Sequence, residues 1–447
     1  MGTAIRPLGA RAGMAQKGDR NGFPSPARGA KETRAQTLTP PLSPPRGARG
    51  QDLETPIVFE ALNAQPPDSL LGLIKAYNSD GRTGKIDLGV GVYRDAHGNT
   101  PVLKAVKAAE RILLDTQDTK KYLGPEGDAG FSALLQPIVF GDAHPLAGRI
   151  AALQTPGGTG ALRLGAELIR AANADAAVRV GTPTWPNHTP IFAAAGLKIV
   201  AHRFADLATQ AVDFEAVRQG LASASPGDVV LLHGCCHNPT GVDFSRAQWK
   251  EIAETLKARK LIPFVDLAYQ GLGDGLEEDA QATRLVLETV DEALVAYSCD
   301  KNFGLYRDRV GALYVIARDS GETAKVMSNL AALARVAWST PPDHGAAVVR
   351  IILERPDLVA MWREELDVMR ARINGNRAAL AAADPALAFI RDQRGLFSNL
   401  AMTKPQAVAL RDRHAIYCAD SGRINLAGMQ PADAGAIVAA LKAEGCL

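Results

Sequence analysis

The chain has 447 residues, 47% of them hydrophobic and 22% charged, with a formal net charge of +2. That profile suits a soluble chain large enough for a big domain and a smaller one, and no window nears 18 uninterrupted apolar residues, which excludes an ordinary membrane-spanning helix. Five cysteines at 235, 236, 299, 418 and 446 are odd in number and irregular in spacing, so they form no disulfide framework and suit a reducing, cytoplasmic setting.

Residues 1–50 carry nine Lys or Arg against two Asp or Glu, which leaves the remainder five charges negative. The main body therefore offers no basic patch for a nucleic acid. The first 56 residues are rich in Pro, Gly, Ala and Ser and hold no apolar period, so they read as a disordered extension. Three explanations stand for it: a start assigned too early, a flexible extension, or a targeting segment, since it is Arg-rich and acid-poor.

At Ile57 the character changes and an arm begins. Asp68–Ile74 reads as a short capped helix. Lys85–Tyr93 alternates like a strand, and residues 102–117 follow a helical period. The middle alternates strands (Ala177–Val180, Lys198–Ala201, Val229–His233, Leu261–Asp266, Leu294–Ser298, Val310–Ile316) with helices (Ala161–Ala172, Pro190–Ala195, Phe214–Ala222, Arg246–Arg259, Ala324–Val336). That rhythm predicts an α/β fold around an open, mostly parallel sheet, with chemistry beyond the carboxyl ends of its strands. After Pro341-Pro342 the period predicts one long helical stretch over about 344–384, a strand at Phe397–Leu400 and a final helix near Ala432–Leu441. The limits so read are 57–95 for the arm and part of a small domain, 96–350 for a large domain, and 351–447 for the rest of the small one.

Chemistry concentrates where strands end. Ser298-Cys299-Asp300-Lys301-Asn302-Phe303-Gly304-Leu305-Tyr306-Arg307-Asp308-Arg309 sets a lysine between a hydroxyl and an arginine after an apolar run. Pro156-Gly157-Gly158-Thr159-Gly160 before a helix offers backbone N–H groups and a hydroxyl to an anion, although such a run alone is commonly a plain turn. Asp266 ends an apolar strand, where an isolated aspartate is more often a turn or capping residue. Together these segments contain what pyridoxal phosphate requires. Lys301, otherwise a plain surface lysine, would be the Schiff-base amine, and Gly158, Thr159, Ser298 and Arg309 would cradle the phosphate. Asp266 would keep the ring nitrogen protonated, Asn238 and Tyr269 could meet the phenolate oxygen, and Trp185 could stack on the ring, although a lone tryptophan is more often core. His233-Gly234-Cys235-Cys236-His237 invites a different reading, a non-enzymatic metal-binding protein. Its ligand types are too crowded to surround one ion, and no second pair stands far away; the metal expectation is none.

With these residues assembled, residues 57–442 resemble the class I aminotransferases, in the branch of aspartate and aromatic amino acid aminotransferases. The resemblance rests on Pro156–Leu162, Trp185-Pro186-Asn187-His188, His233–Gly241, Asp266–Gly271, Asn302–Tyr306 and Ser421-Gly422-Arg423-Ile424-Asn425. It implies the fold type I of pyridoxal-phosphate-dependent transferases, with a large cofactor-binding domain and a smaller αβ domain. It places catalysis on Lys301, with Asp266 and Tyr269 beside it, and puts His188 behind Asp266. It adds Tyr122 as a phosphate contact to the neighbouring subunit and Arg423 as the clamp on the substrate α-carboxylate. Arg335 becomes the clamp on a distal carboxylate across a homodimer interface, Val90-Gly91 a substrate-closing loop, and Gly91, Trp185 and Asn238 substrate contacts. The implied partners are small amino acids and 2-oxo acids, exchanged in ping-pong fashion, with no nucleic acid and no membrane. Two departures stand out. Asp300 precedes the lysine where many members have serine, and Ala337-Trp338 replaces a polar and a phenolic residue near the distal pocket. The second leans towards aromatic as well as dicarboxylic substrates; a strict aspartate aminotransferase is the alternative. A lyase or decarboxylase on the same fold is disfavoured by Arg335, because a second carboxylate clamp serves dicarboxylates that shuttle the amino group.

Overall fold

The computed structural model describes residues 58–65 and 69–447. The disordered extension expected at 1–56 and the capping position Asp68 lie outside the described residues. The chain divides into two compact units, 1–65 and 66–447. In the first, Val58–Ala61 forms a single 3-10 turn and Phe59 and Leu62 are exposed. Everything below concerns the second.

Its centre is a seven-stranded sheet. In spatial order the strands are Ile150–Pro156, Val310–Ile316, Ala293–Ser298, Ile262–Leu267, Val229–His233, Ala177–Thr182 and Lys198–Arg203. All run parallel except Val310–Ile316, which is antiparallel to both neighbours. The central strands are apolar on both faces, as burial by helices on either side requires. Two apolar clusters flank the sheet, one built on Phe131, Val265, Tyr297 and Trp362, the other on Leu153, Leu162, Phe192 and Phe264. A third cluster stands apart and joins Ile86 and Leu88 to Leu380, Ile390, Leu410, Ile424 and Leu441.

Several elements depart from the sequence reading, each for a local reason. Only Ile86–Asp87 of the alternating run 85–93 is a strand. The Asp87 carboxylate turns back to accept from Gly89 N at 3.0 Å, a side-chain turn that competes with the ladder. The long stretch after Pro342 is two helices, Asp343–Glu354 and Pro356–Ala383. Arg355 is extended between them because a residue before proline avoids helical backbone. The strand Ile150–Pro156 and the helices Ala129–Phe140, Gln281–Thr289 and Lys404–His414 carried too weak a pattern to be read. In the first, Gln154 is buried, donating to Pro342 O at 2.6 Å and accepting from Asp128 N at 2.9 Å. In the second, Pro137 interrupts an otherwise apolar run. Among the described residues no helix is long and apolar enough to cross a membrane.

Candidate active site

Topology gathers the polar residues. Pairing sets His233 opposite Asp266, Ser298 opposite Gly311, and Val310 opposite Pro156. The parallel strands bring their carboxyl ends to one edge. The antiparallel strand brings its amino end there too, which carries Arg309 to the same edge as Ser298. A helix begins at Gly157, directly after the strand ending at Pro156, so its free N–H groups open on that edge. The helix starts four residues earlier than the sequence indicated, which puts Gly158 and Thr159 in its first turn.

One cleft of about 260 Å³ lies there. It is lined by Gly91, Gly158, Thr159, Trp185, Asn238, Asp266, Tyr269, Ser298, Lys301, Arg309 and Arg423, so eleven residues singled out from sequence face one space. His188 sits immediately behind it. Tyr122 and Arg335 do not line it; both are exposed, Tyr122 to 93%, and Arg335 donates to Ser339 Oγ at 2.5 Å. Leu70, His233, Asp300 and Phe397 also line the cleft without having been marked as site residues. Leu70 and Phe397 carry no chemical signal in a sequence, whereas Asp300 was visible as a departure at a marked position.

The turn that carries Lys301 is pinned from several sides. Phe303 stacks on Trp362 with centroids 4.4 Å apart, and Trp362 Nε1 donates to Asn302 O at 2.8 Å. Asn302 Nδ2 donates to Tyr297 Oη at 2.9 Å, and Tyr306 Oη accepts from Tyr93 N at 2.9 Å. Burial pushes the Lys301 ammonium below the usual lysine range; Asp300 and Asp266 oppose that push and Arg309 adds to it. The amine therefore sheds its proton more readily than a free lysine.

Asp266 is held by a relay. His188 Nε2 lies 2.9 Å from Asp266 Oδ2 and must donate, because a carboxylate only accepts. Thr184 Oγ1 bridges His188 Nδ1 at 2.8 Å and His233 Nε2 at 3.0 Å. Burial pushes the Asp266 carboxyl up, but the His188 hydrogen bond and nearby positive charge, that of Lys301 included, outweigh it, and the net shift is downward. Asp266 so stays ionised and can keep a proton on a cationic partner.

Opposite it, Asn238 Nδ2 donates to Tyr269 Oη at 3.3 Å. Burial pushes the Tyr269 hydroxyl up, leaving it a phenol donor. Trp185 meets His188 edge-on at 5.2 Å. The Arg423 guanidinium lies 4.6 Å over the Phe397 ring and donates through Nη2 to Gly89 O at 2.9 Å. Asn238 Oδ1 and Arg423 Nε are buried with no hydrogen-bond partner. Buried polar atoms of this kind point to a ligand that completes them.

The donor set fits pyridoxal phosphate. An amine of lowered pKa, an ionised carboxylate, a helix N-terminus with serine, threonine and arginine, and two donors beside Lys301 meet the carbonyl, ring nitrogen, phosphate and phenolate of that molecule. The histidine–cysteine run does not form a metal cage. His237 stacks on Phe204 at 4.0 Å and bonds Thr240 Oγ1 through Nδ1 at 2.9 Å. Among the described residues the groups close enough to share an ion are Cys235, Cys236 and Asp279, not the histidines. The Asp279 carboxylate is already engaged by the N–H groups of Gly271, Gly273 and Asp274.

Comparison with known proteins gives the family. Residues 83–441 match the family model of aminotransferases of class I and II. A tyrosine aminotransferase of Rhizobium meliloti is 50% identical over 384 residues, covering 85% of this chain and 98% of that protein. An aspartate aminotransferase of Escherichia coli is 42% identical over 382 residues, covering 84% and 96%. The crystal structure of an aromatic-amino-acid aminotransferase from Burkholderia pseudomallei, covalently bound to pyridoxal phosphate, superposes with a TM-score of 0.84 at 40% identity, covering 87% of this chain and 99% of that one. With four fifths of its length matched and its cleft equipped for this cofactor, the chain belongs to the aminotransferases of class I and II and is a pyridoxal-phosphate-dependent transaminase.

Proposed function

We propose that the enzyme moves an amino group between an aromatic or dicarboxylic amino acid (tyrosine, phenylalanine or aspartate) and 2-oxoglutarate in two ping-pong half-reactions. The observation that carries this reading is the convergence of Lys301, Asp266, Tyr269 and Arg423 on one cleft.

Pyridoxal phosphate, when bound, supplies an electron-withdrawing ring that acidifies the Cα–H of an amino acid. Lys301 would hold the cofactor between turnovers and then take and return the Cα proton. Its lowered pKa eases that exchange. Asp266, kept charged by His188, would hold a proton on the ring nitrogen. Asn238 and Tyr269 would donate to the phenolate oxygen, and Trp185 would cover a ring face. Gly158, Thr159, Ser298 and Arg309 would hold the phosphate. Arg423 would fork the α-carboxylate, with Gly91 and its neighbours closing over the substrate.

Tyr122 and Arg335 would act across a homodimer, serving the partner's phosphate and distal carboxylate. Their exposure, with Leu123 and the 89% exposed Val336 beside them in sequence, supports a surface covered by a second copy. The separate cluster joining residues 86–88 to 380–441 supports the domain limits 57–95, 96–350 and 351–447. Free, mostly buried cysteines support a reducing, cytoplasmic setting.

Aromatic substrates are favoured by Trp338, which packs on the same apolar cluster as Trp185 and leaves a buried Nε1 without a partner. Strict aspartate specificity is favoured by Arg335 alone. Half-reaction kinetics decide between them. Purified holoenzyme is mixed with aspartate, glutamate, tyrosine or phenylalanine, and loss of the visible cofactor band is followed. Comparable rates for both classes support the dual reading; reaction with aspartate and glutamate only would make it an aspartate aminotransferase.

A further inference from the structure

Asp300 stands among the residues assigned to the phosphate. It is 3% exposed, and its backbone N–H donates to Ser298 Oγ at 3.3 Å. Its Oδ2 accepts from Arg309 Nη1 at 2.6 Å and lies 3.9 Å from Lys301 Nζ. Its Oδ1 is buried without a hydrogen-bond partner. Gly157 closes the other side of this pair. A Cβ there would stand 2.6 Å from Arg309 Nη2 and 3.4 Å from Asp300 Oδ2, and its φ of +69° favours glycine. Arg309 itself is left-handed at φ +57°, and its Nη1 also donates to Tyr306 O at 3.1 Å.

One nitrogen of the arginine fork, Nη1, is thus already engaged by an internal anion. A carboxylate and a phosphate are both negative, and both only accept hydrogen bonds from a guanidinium. They compete for Nη1, and beside a buried carboxylate a second negative group costs more. A serine at this place would lend a hydroxyl instead and add no charge.

We propose that Asp300 competes with the cofactor's phosphate for Arg309 and so makes pyridoxal phosphate readily exchangeable in this enzyme. The inference rests on the reading of the cleft given above. Exchange matters most in the half of the cycle when the amino group sits on the cofactor and Lys301 no longer tethers it covalently. There the non-covalent contacts alone would retain it, and Asp300 would weaken those made to the phosphate.

The test separates phosphate from ring. Full-length wild-type and Asp300→Asn protein are dialysed to equilibrium against graded pyridoxal phosphate, and separately against pyridoxal, which lacks the phosphate; bound ligand is read by its visible absorbance. Asp300→Asn is expected to bind pyridoxal phosphate roughly 10- to 100-fold more tightly, with a much smaller change towards pyridoxal. Unchanged or weaker affinity for pyridoxal phosphate overturns the proposal. Equal tightening towards both ligands also overturns it, since the carboxylate would then be acting on Lys301. Asp300→Ser repeats the comparison should the asparagine variant not fold. A wild-type protein that binds neither ligand would instead refute the cofactor site itself.

Discussion

Lys301 and Asp266 share one cleft but have separable duties, and that separation is testable. Asp266 is positioned by His188 at 2.9 Å and acts on Lys301 only through charge, at a distance. Asp266→Ala should therefore keep a visible cofactor band while kcat falls by roughly 10²–10⁴-fold, the scale of losing a proton-holding group. Lys301→Ala should lose the band and the activity together. An Asp266→Ala enzyme with normal turnover would remove the carboxylate from the mechanism. The histidines behind the site make a second prediction. Burial, aided by the charge of His188, holds His233 down to about 3, and burial holds His237 well below its ordinary value. Unfolded, each protonates near 6.5. Below that pH the unfolded chain binds more protons, so stability falls as pH falls, by about 1.4 kcal/mol per pH unit for each histidine. Thermal unfolding between pH 7.5 and 5.5 checks this, and a flat melting temperature would contradict it. At this scale the sequence was readable where chemistry marks a residue, as at Lys301 and Asp266, whereas Arg423 came only from the resemblance. Phe397 is a site residue only because the Arg423 guanidinium stacks on it, and nothing in a phenylalanine announces that.

Elements matter here for what they hold still. The turn bearing Lys301 has no regular structure of its own and depends on the helix Pro356–Ala383, which presents Trp362 to Phe303 and to Asn302 O. Trp362 is fully buried. Trp362→Ala should cost about 3–5 kcal/mol for the cavity. Trp362→Phe should cost about 1–3 kcal/mol for the carbonyl of Asn302 left unpaired. Urea unfolding measures both, and equal stability of the two variants would mean that the stacked ring contributes nothing. The helix itself was legible from its period, but its start was not. Arg355 is extended solely because proline follows, so one periodic stretch became two helices. The strand Ile150–Pro156 escaped for the opposite reason. Its Gln154 is buried among backbone partners supplied by residues 128 and 342, and no local pattern reveals so distant a pairing. Strands such as Val229–His233 and Val310–Ile316 were read to the residue, because buried sheet interiors demand continuous apolar runs.

For the whole molecule the question is how many chains make a site. Arg335 and Tyr122 are exposed and do not line the cleft of their own chain, whereas every other residue assigned to the site lines it or, like His188, backs it directly. If the two act, they act on another copy, and a closed pair with twofold symmetry satisfies both contacts reciprocally. Mixed dimers expose this arrangement. A Lys301→Ala chain has no proton carrier but an intact Tyr122, and a Tyr122→Ala chain has the reverse. In a hybrid of the two, one site takes its lysine from the Tyr122→Ala chain and its tyrosine from the Lys301→Ala chain, and is complete; the other lacks both. Co-refolding the two variants should therefore give a population with higher kcat and tighter cofactor binding than the Tyr122→Ala homodimer, while Lys301→Ala alone stays inactive. Had each site used its own Tyr122, the mixture would only average the two parents. A further rise on mixing distinguishes the shared site from the private one, and a strictly averaged activity at every mixing ratio would show that the exposed tyrosine serves no partner.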